Sequence, residues 1–133
     1  MEEVIKACDS LYASVIKKID FDLFNKIIKF DVILIEDGIE ENHTLEIKDY
    51  ESFLWVEKLK TTHEEYNFKN WDYYELTSIS FGNIQIGSDD KWLKQYSLNY
   101  NIAIEIWESA LLIRADKIIV DNLEYLLNTE QLE

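Results

Sequence analysis

Apolar residues recur at every second position in two stretches of the chain, and that period restricts them to strands with one buried face. From Asn101 to Trp107, Ile102, Ile104 and Ile106 alternate with Ala103, Glu105 and Trp107. From Lys26 to Ile35, Ile28, Phe30, Val32 and Leu34 fall on one face, while Lys29 and Asp31 mark the other as partly solvated. Successive side chains of a strand point to opposite faces, so both patterns predict half-buried strands of an antiparallel sheet. Ile28, Phe30, Val32, Ile104, Ile106, Leu111 and Ile113 are the expected core.

The remaining segments fit the same class. Val4 to Leu11 has helix-like apolar spacing and predicts a short N-terminal helix. Leu11 to Asp20 reads as a strand because Val15, Ile16 and Ile19 are β-branched. Glu36-Asp37-Gly38 breaks the chain before a second alternation at His43 to Lys48, and Phe53 to Val56 reads as a separate short strand. His63 to Asn70 is polar and predicts a loop. Trp71 to Phe81 is a strand, Gly82-Asn83 a turn, Ile84 to Ile86 a short strand and Gly87 to Asp90 a loop, with Asp90 capping a helical turn through Trp92 and Leu93. Glu108-Ser109 suits a hairpin turn into Leu111 to Ala115 and Lys117 to Val120, and the tail after Asp121 suggests a frayed helix. The fold class is α+β, mainly β: an antiparallel curled sheet or sandwich of about seven strands with a short N-terminal helix, in a single domain over residues 1–133.

Composition narrows this further. Proline is absent and glycine occurs three times, which excludes collagen-like and flexible-linker chains. The hydrophobic share of 47% excludes intrinsic disorder despite the charge. One cysteine, Cys8, forms no internal disulfide. Met1 to Lys18 carries Glu2 and Glu3 and no apolar run long enough for a signal peptide or membrane span, so the expectation is a soluble cytoplasmic protein.

Three stretches carry a resemblance: Asp9-Ser10-Leu11 through Ile19-Asp20-Phe21-Asp22 to Phe30-Asp31-Val32; Trp71-Asp72-Tyr73-Tyr74-Glu75-Leu76-Thr77-Ser78-Ile79; and Ile104-Glu105-Ile106-Trp107-Glu108-Ser109-Ala110-Leu111-Leu112-Ile113 with Ala115 and Ile118. In this order they resemble the small YxiG-like proteins of Bacillus-type bacteria over most of the chain. The resemblance implies a compact β-rich protein encoded near polymorphic-toxin loci, and hence an immunity protein. It brings no catalytic motif and no functional residue.

Charge points to a partner. Of the formal net charge of −14, half lies between residues 36 and 65, where ten acids face three lysines. Such a field repels phosphate backbones and anionic membranes and attracts basic proteins. Direct nucleic-acid binding needs clustered positive charge, and here lysines alternate with acids. The expected partner-binding residues are the acids Glu36, Asp37, Glu40, Glu41, Glu46, Asp49 and Glu51, with Trp55, Tyr66, Trp71, Tyr73 and Trp92 as aromatic contacts, since Trp and Tyr are enriched at interface hot spots.

Catalytic and metal chemistry finds little footing. His43 and His63 stand alone, with no H-x-H, H-E-x-x-H or C-x-x-C pattern, although His63-Glu64-Glu65 offers ligand types; a solvated loop is the simpler account. Cys8 reads as a small buried hydrophobe rather than a nucleophile. No G-x-S-x-G elbow and no glycine-rich phosphate loop occurs. Asp89-Asp90 and Asp20-Phe21-Asp22 lack calcium-loop spacing. Glu75 and Glu105, set in apolar strands, are the acid–base candidates, and an enzyme built on them requires a pocket lined by one of them; outward-facing positions near Lys117 or Arg114 are the plainer reading. The expectation is therefore a non-enzymatic acidic binding protein without cofactor, metal or membrane: an immunity protein that neutralises a cognate bacterial toxin. The alternatives are a nucleic-acid-mimicking inhibitor of a host defence protein, of the anti-CRISPR kind, and a small enzyme or ligand-binding β protein. A charged surface that serves only solubility is the bland fourth reading.

Overall fold

The computed structural model describes residues 2–57, 73–86 and 98–127. One helix, α1 (Glu2–Asp9), precedes seven strands: β1 (Ser14–Asp22), β2 (Ile27–Glu36), β3 (Ile39–Val56), β4 (Tyr74–Ile86), β5 (Leu98–Ile106), β6 (Ser109–Val120) and β7 (Leu123–Leu126). All pairings are antiparallel. They run β3-β2-β1-β4-β5-β6-β7, and β3 also pairs with β6. That last pairing joins the first strand of the row to the sixth, so six strands close on themselves, with β7 added beside β6, and the predicted curled sheet is a barrel. Closure removes the unpaired edges that an open sheet presents.

Register explains how the inside fills. Ile19 lies opposite Phe30, Phe30 opposite Leu45, and Leu45 opposite Val120, which makes one layer of inward side chains across four strands. Another runs from Leu111 to Ile104 to Ile79. The seven residues expected in the core are all buried, none more than 3% exposed. Val4, Cys8 and Leu11 of the helical segment cover part of this core. Ala110 and Leu112 are buried on the outer face of β6, so that strand is covered on both sides.

Four expectations are corrected. The hairpin turn expected at Glu108-Ser109 lies one residue earlier, at Trp107-Glu108, because Ser109 already pairs with Ile106 as the first residue of β6. His43–Lys48 and Phe53–Val56 belong to one strand of 18 residues, β3. Its alternation breaks at Asp49, which takes φ 56°, and its register against β6 slips between Tyr50 and Ser52, so inward positions pass from Leu45 and Ile47 to Tyr50. A bulge thus bends one strand where the sequence pattern suggests two. Gly82-Asn83 is likewise an irregularity inside β4, between Phe81 and Ile84, and not a turn. The tail after Asp121 is strand β7, not a helix: Asp121 and Asn122 at φ 49° and 70° form a two-residue turn that folds Leu123 back onto Val120. The readings for His63–Asn70 and Gly87–Leu93 fall outside the described residues.

One buried polar side chain completes the sheet. β5 pairs with β6 as far as Ile113, and β7 takes up the same edge from Lys117. Ala115 lies in the interval. Asn101, 1% exposed, fills it: its Nδ2 donates to the Ala115 carbonyl at 2.7 Å and its Oδ1 accepts from the Ala115 N–H at 3.0 Å. The carboxamide imitates a peptide unit where the strand ladder has none.

Candidate functional site

The acidic residues expected to bind a partner separate into two groups. Glu36, Asp37, Glu40 and Glu41 are all exposed around the β2–β3 turn. Asp37 and Gly38 sit at φ 52° and 80°, the two-residue turn that Asp-Gly favours because both positions need a left-handed backbone. β1 reaches β2 only up to Ile33, and β6 reaches β3 only from Leu45. Among the described residues, Leu34–Glu36 and Ile39–Glu41 therefore pair only with each other, as a two-stranded arm. One face carries Leu34, Glu36, Ile39 and Glu41; the other carries Ile35 and Glu40. Ile35 and Ile39 are 53% and 68% exposed, so each face combines acid with an accessible aliphatic side chain.

The other three acids lie apart. Glu46 is half-buried opposite Lys29. Asp49 marks the bend of β3, roughly 30 Å along the strand from Glu40 at the usual rise per residue, and its carboxylate is 3.4 Å from Lys117 Nζ. Glu51 is exposed beyond it. The seven acids do not form one patch.

A histidine absent from the expected set ties down the arm. His43 Nδ1 lies 2.6 Å from Asp121 Oδ2, and Nε2 lies 3.3 Å from Glu41 Oε2. Asp121 also accepts from the Thr44 N–H at 3.0 Å and donates its own N–H to the Thr44 carbonyl. The β6–β7 turn is thereby clamped to the base of the arm. The Asp121 hydrogen bond raises the His43 pKa above its ordinary value against the opposing effect of burial, with the charges of Asp121 and Glu41 adding to the rise. A raised folded-state pKa stabilises the fold below the unfolded histidine pKa, and that contribution disappears as pH climbs through the folded value. Wild type should therefore exceed His43→Gln in stability at about pH 6, with the gap closing towards about pH 9. Urea unfolding of both proteins across that range checks it; a gap constant with pH would mean that the imidazole contributes as a neutral group.

The aromatic expectations lead elsewhere. Trp55 and Tyr73 are 41% and 43% exposed; Tyr66, Trp71 and Trp92 fall outside the described residues. Trp55 lines a cleft of about 500 Å³ where β1 parts from β4, beside the start of β4 and the β5–β6 turn. Ile16, Ile19 and Ile106 are its aliphatic lining, Tyr74 and Trp107 join Trp55, and Lys17, Lys18, Glu57 and Glu108 are its charged groups. Tyr73 stands behind Trp107, ring centroids 5.6 Å apart.

Neither Glu75 nor Glu105 lines this cleft. Burial raises the Glu75 carboxyl pKa, but the residue sits opposite Val15 in the short β1–β4 pairing. Cys8 is 2% exposed, and its thiol is pushed up to about 12 by burial and then by the Asp9 charge, far from thiolate chemistry at neutral pH. Among the described residues no group of three or more His, Cys, Asp and Glu side chains is placed to hold a metal ion. No helix among them is long and apolar enough to cross a membrane.

These features define a small antiparallel β-barrel with an acidic arm and an aromatic cleft. The chain belongs to the YxiG-like protein family, whose sequence model matches residues 4–125. No curated protein matches it.

Proposed function

We propose that this protein is a non-enzymatic inhibitor that binds a basic protein, an immunity protein that neutralises a cognate bacterial toxin. The arm carries the proposal: four exposed acids on a hairpin that pairs with nothing else among the described residues, with Ile35 and Ile39 accessible between them. Acidic side chains steer a basic partner and set its orientation, while apolar groups at the same place supply contact that is desolvated on binding. A nuclease toxin fits this surface, since a phosphate-binding cleft is positively charged. A hairpin held by its turn and by the Asp121 clamp needs little reordering, which lowers the cost of association.

Affinity capture from the native host, followed by co-expression, tests the proposal. The retained protein should be basic, should arrest growth when expressed alone, and should lose that effect when this chain is co-expressed. A retained protein whose toxicity persists on co-expression, or capture only of a host defence nuclease, contradicts an immunity role.

A further inference from the structure

We infer that the cleft beside the β5–β6 turn seats a cationic side chain, arginine or lysine, of the basic partner; this rests on the function proposed above and names the group recognised. The lining divides as such a guest does. Ile16, Ile19 and Ile106 make the aliphatic part of the lining, suited to the methylene stem, and Trp55, Tyr74 and Trp107 bring aromatic rings to the same cleft, suited to the charged head. Glu57 and Glu108 add carboxylates to the same cleft, and Trp55 Nε1 lies 3.4 Å from Glu57 Oε1. At about 500 Å³ the cleft holds more than one side chain, so the guest enters with neighbouring residues of a segment.

Two lysines also line the cleft and have to be weighed. Lys18 Nζ lies 3.4 Å from the Asp20 carboxylate, which offsets its charge. Lys17 remains as an attractor for anions, but a chain of net charge −14 repels an anion at long range and concentrates cations. The field decides for the cation.

The position of Trp107 is a separate indication. Ile106 pairs with Ser109, so Trp107 and Glu108 form a two-residue hairpin turn, and Trp107 takes φ 52°. Glycine, asparagine or aspartate adopts that backbone at less cost, and a bulky residue there is an outlier. Contacts on several sides hold it: its N–H donates to Thr77 Oγ1 at 3.0 Å, its indole N–H donates to the Tyr73 carbonyl at 2.9 Å, and its ring meets Tyr73. What tryptophan adds to this turn is an indole wall fixed in place at the cleft.

Titration of the full chain with the tripeptide acetyl-Gly-Arg-Gly-amide, followed on the indole N–H resonances, tests the assignment. The resonances of Trp55 and Trp107 should shift saturably, with a dissociation constant in roughly the millimolar range. The isosteric citrulline peptide should bind about tenfold more weakly, and the glutamate peptide should not bind. Glu57→Gln with Glu108→Gln should weaken the arginine peptide about tenfold at unchanged melting temperature, while Glu36→Gln, Glu40→Gln and Glu41→Gln together should change it by less than about twofold. No saturable shift, equal binding of the citrulline or glutamate peptide, or indifference to the Glu57 and Glu108 changes would overturn the inference. Should the arginine peptide fail while a captured basic toxin is still neutralised, the cleft assignment falls and the immunity function stands.

Discussion

Phe30→Ala should lower the free energy of unfolding by about 3–5 kcal/mol. Phe30 is fully buried on β2, between Ile19 of β1 and Leu45 of β3. Its removal takes away both the transfer free energy of the ring and the contacts of every side chain around the void. A barrel closed by strand pairing has little freedom to collapse into that space, which favours the upper part of the range. Since domains of this size are stable by only about 5–15 kcal/mol, the variant should be close to unfolding at physiological temperature. Phe24→Ala is the natural control, because Phe24 is 97% exposed at the β1–β2 turn and its loss should move stability by less than about 0.5 kcal/mol. Urea unfolding of both variants, with unchanged slope, reads the difference. Equal midpoints would place the ring outside the core.

Asn101→Ala should cost about 2–5 kcal/mol for a different reason. The side chain is small, so lost apolar burial contributes little. The loss comes from Ala115, whose N–H and carbonyl both depend on the Asn101 carboxamide in a buried stretch between the ends of two ladders. Each buried backbone group left unpaired costs about 1–3 kcal/mol. Asn101→Leu, which restores apolar volume and not the hydrogen bonds, should fare no better than alanine, and urea unfolding of the two separates the explanations. Recovery of stability in the leucine variant would show that volume is what the site needs.

The strands that were legible in sequence are those whose alternation is unbroken. Ile28, Phe30 and Val32, and Ile102, Ile104 and Ile106, keep one phase across their strands, and each set is buried. β3 read as two strands because the alternation of Leu45 and Ile47 is interrupted at Asp49 and Tyr50 and resumes at Phe53, past the register slip, opposite Ile113. β7 was hidden because Leu123 to Leu126 is too short for alternation to show, and only the Asp121-Asn122 turn and pairing with β6 make it a strand. Asp-Asn, a pair that tolerates left-handed backbone, was the available sign.

The candidate site was legible to the same degree. Charge counting located Glu36, Asp37, Glu40 and Glu41, but ran them together with Glu46, Asp49 and Glu51, because proximity in sequence along an extended strand means separation in space. The Asp121 clamp on His43 joins residues 78 apart, and the cleft draws its walls from β1, β3, β4 and the β5–β6 turn. Neither leaves a local pattern. The strain at Trp107 likewise depends on the register that makes Trp107-Glu108 a two-residue turn.

The central claim is that the arm steers a basic partner, and association kinetics at two salt concentrations test it most directly. With the captured partner in hand, stopped-flow rates are to be measured for wild type and for the combined variant Glu36→Gln, Asp37→Asn, Glu40→Gln, Glu41→Gln. Neutralising these charges should slow association by roughly tenfold at low salt and flatten its salt dependence. Dissociation should change less, since the charges act over distance while desolvated contacts hold the complex. Stability should stay level or rise slightly as mutual repulsion is relieved. An association rate and salt slope equal to those of wild type would contradict the account and leave the arm as a means of keeping the protein in solution.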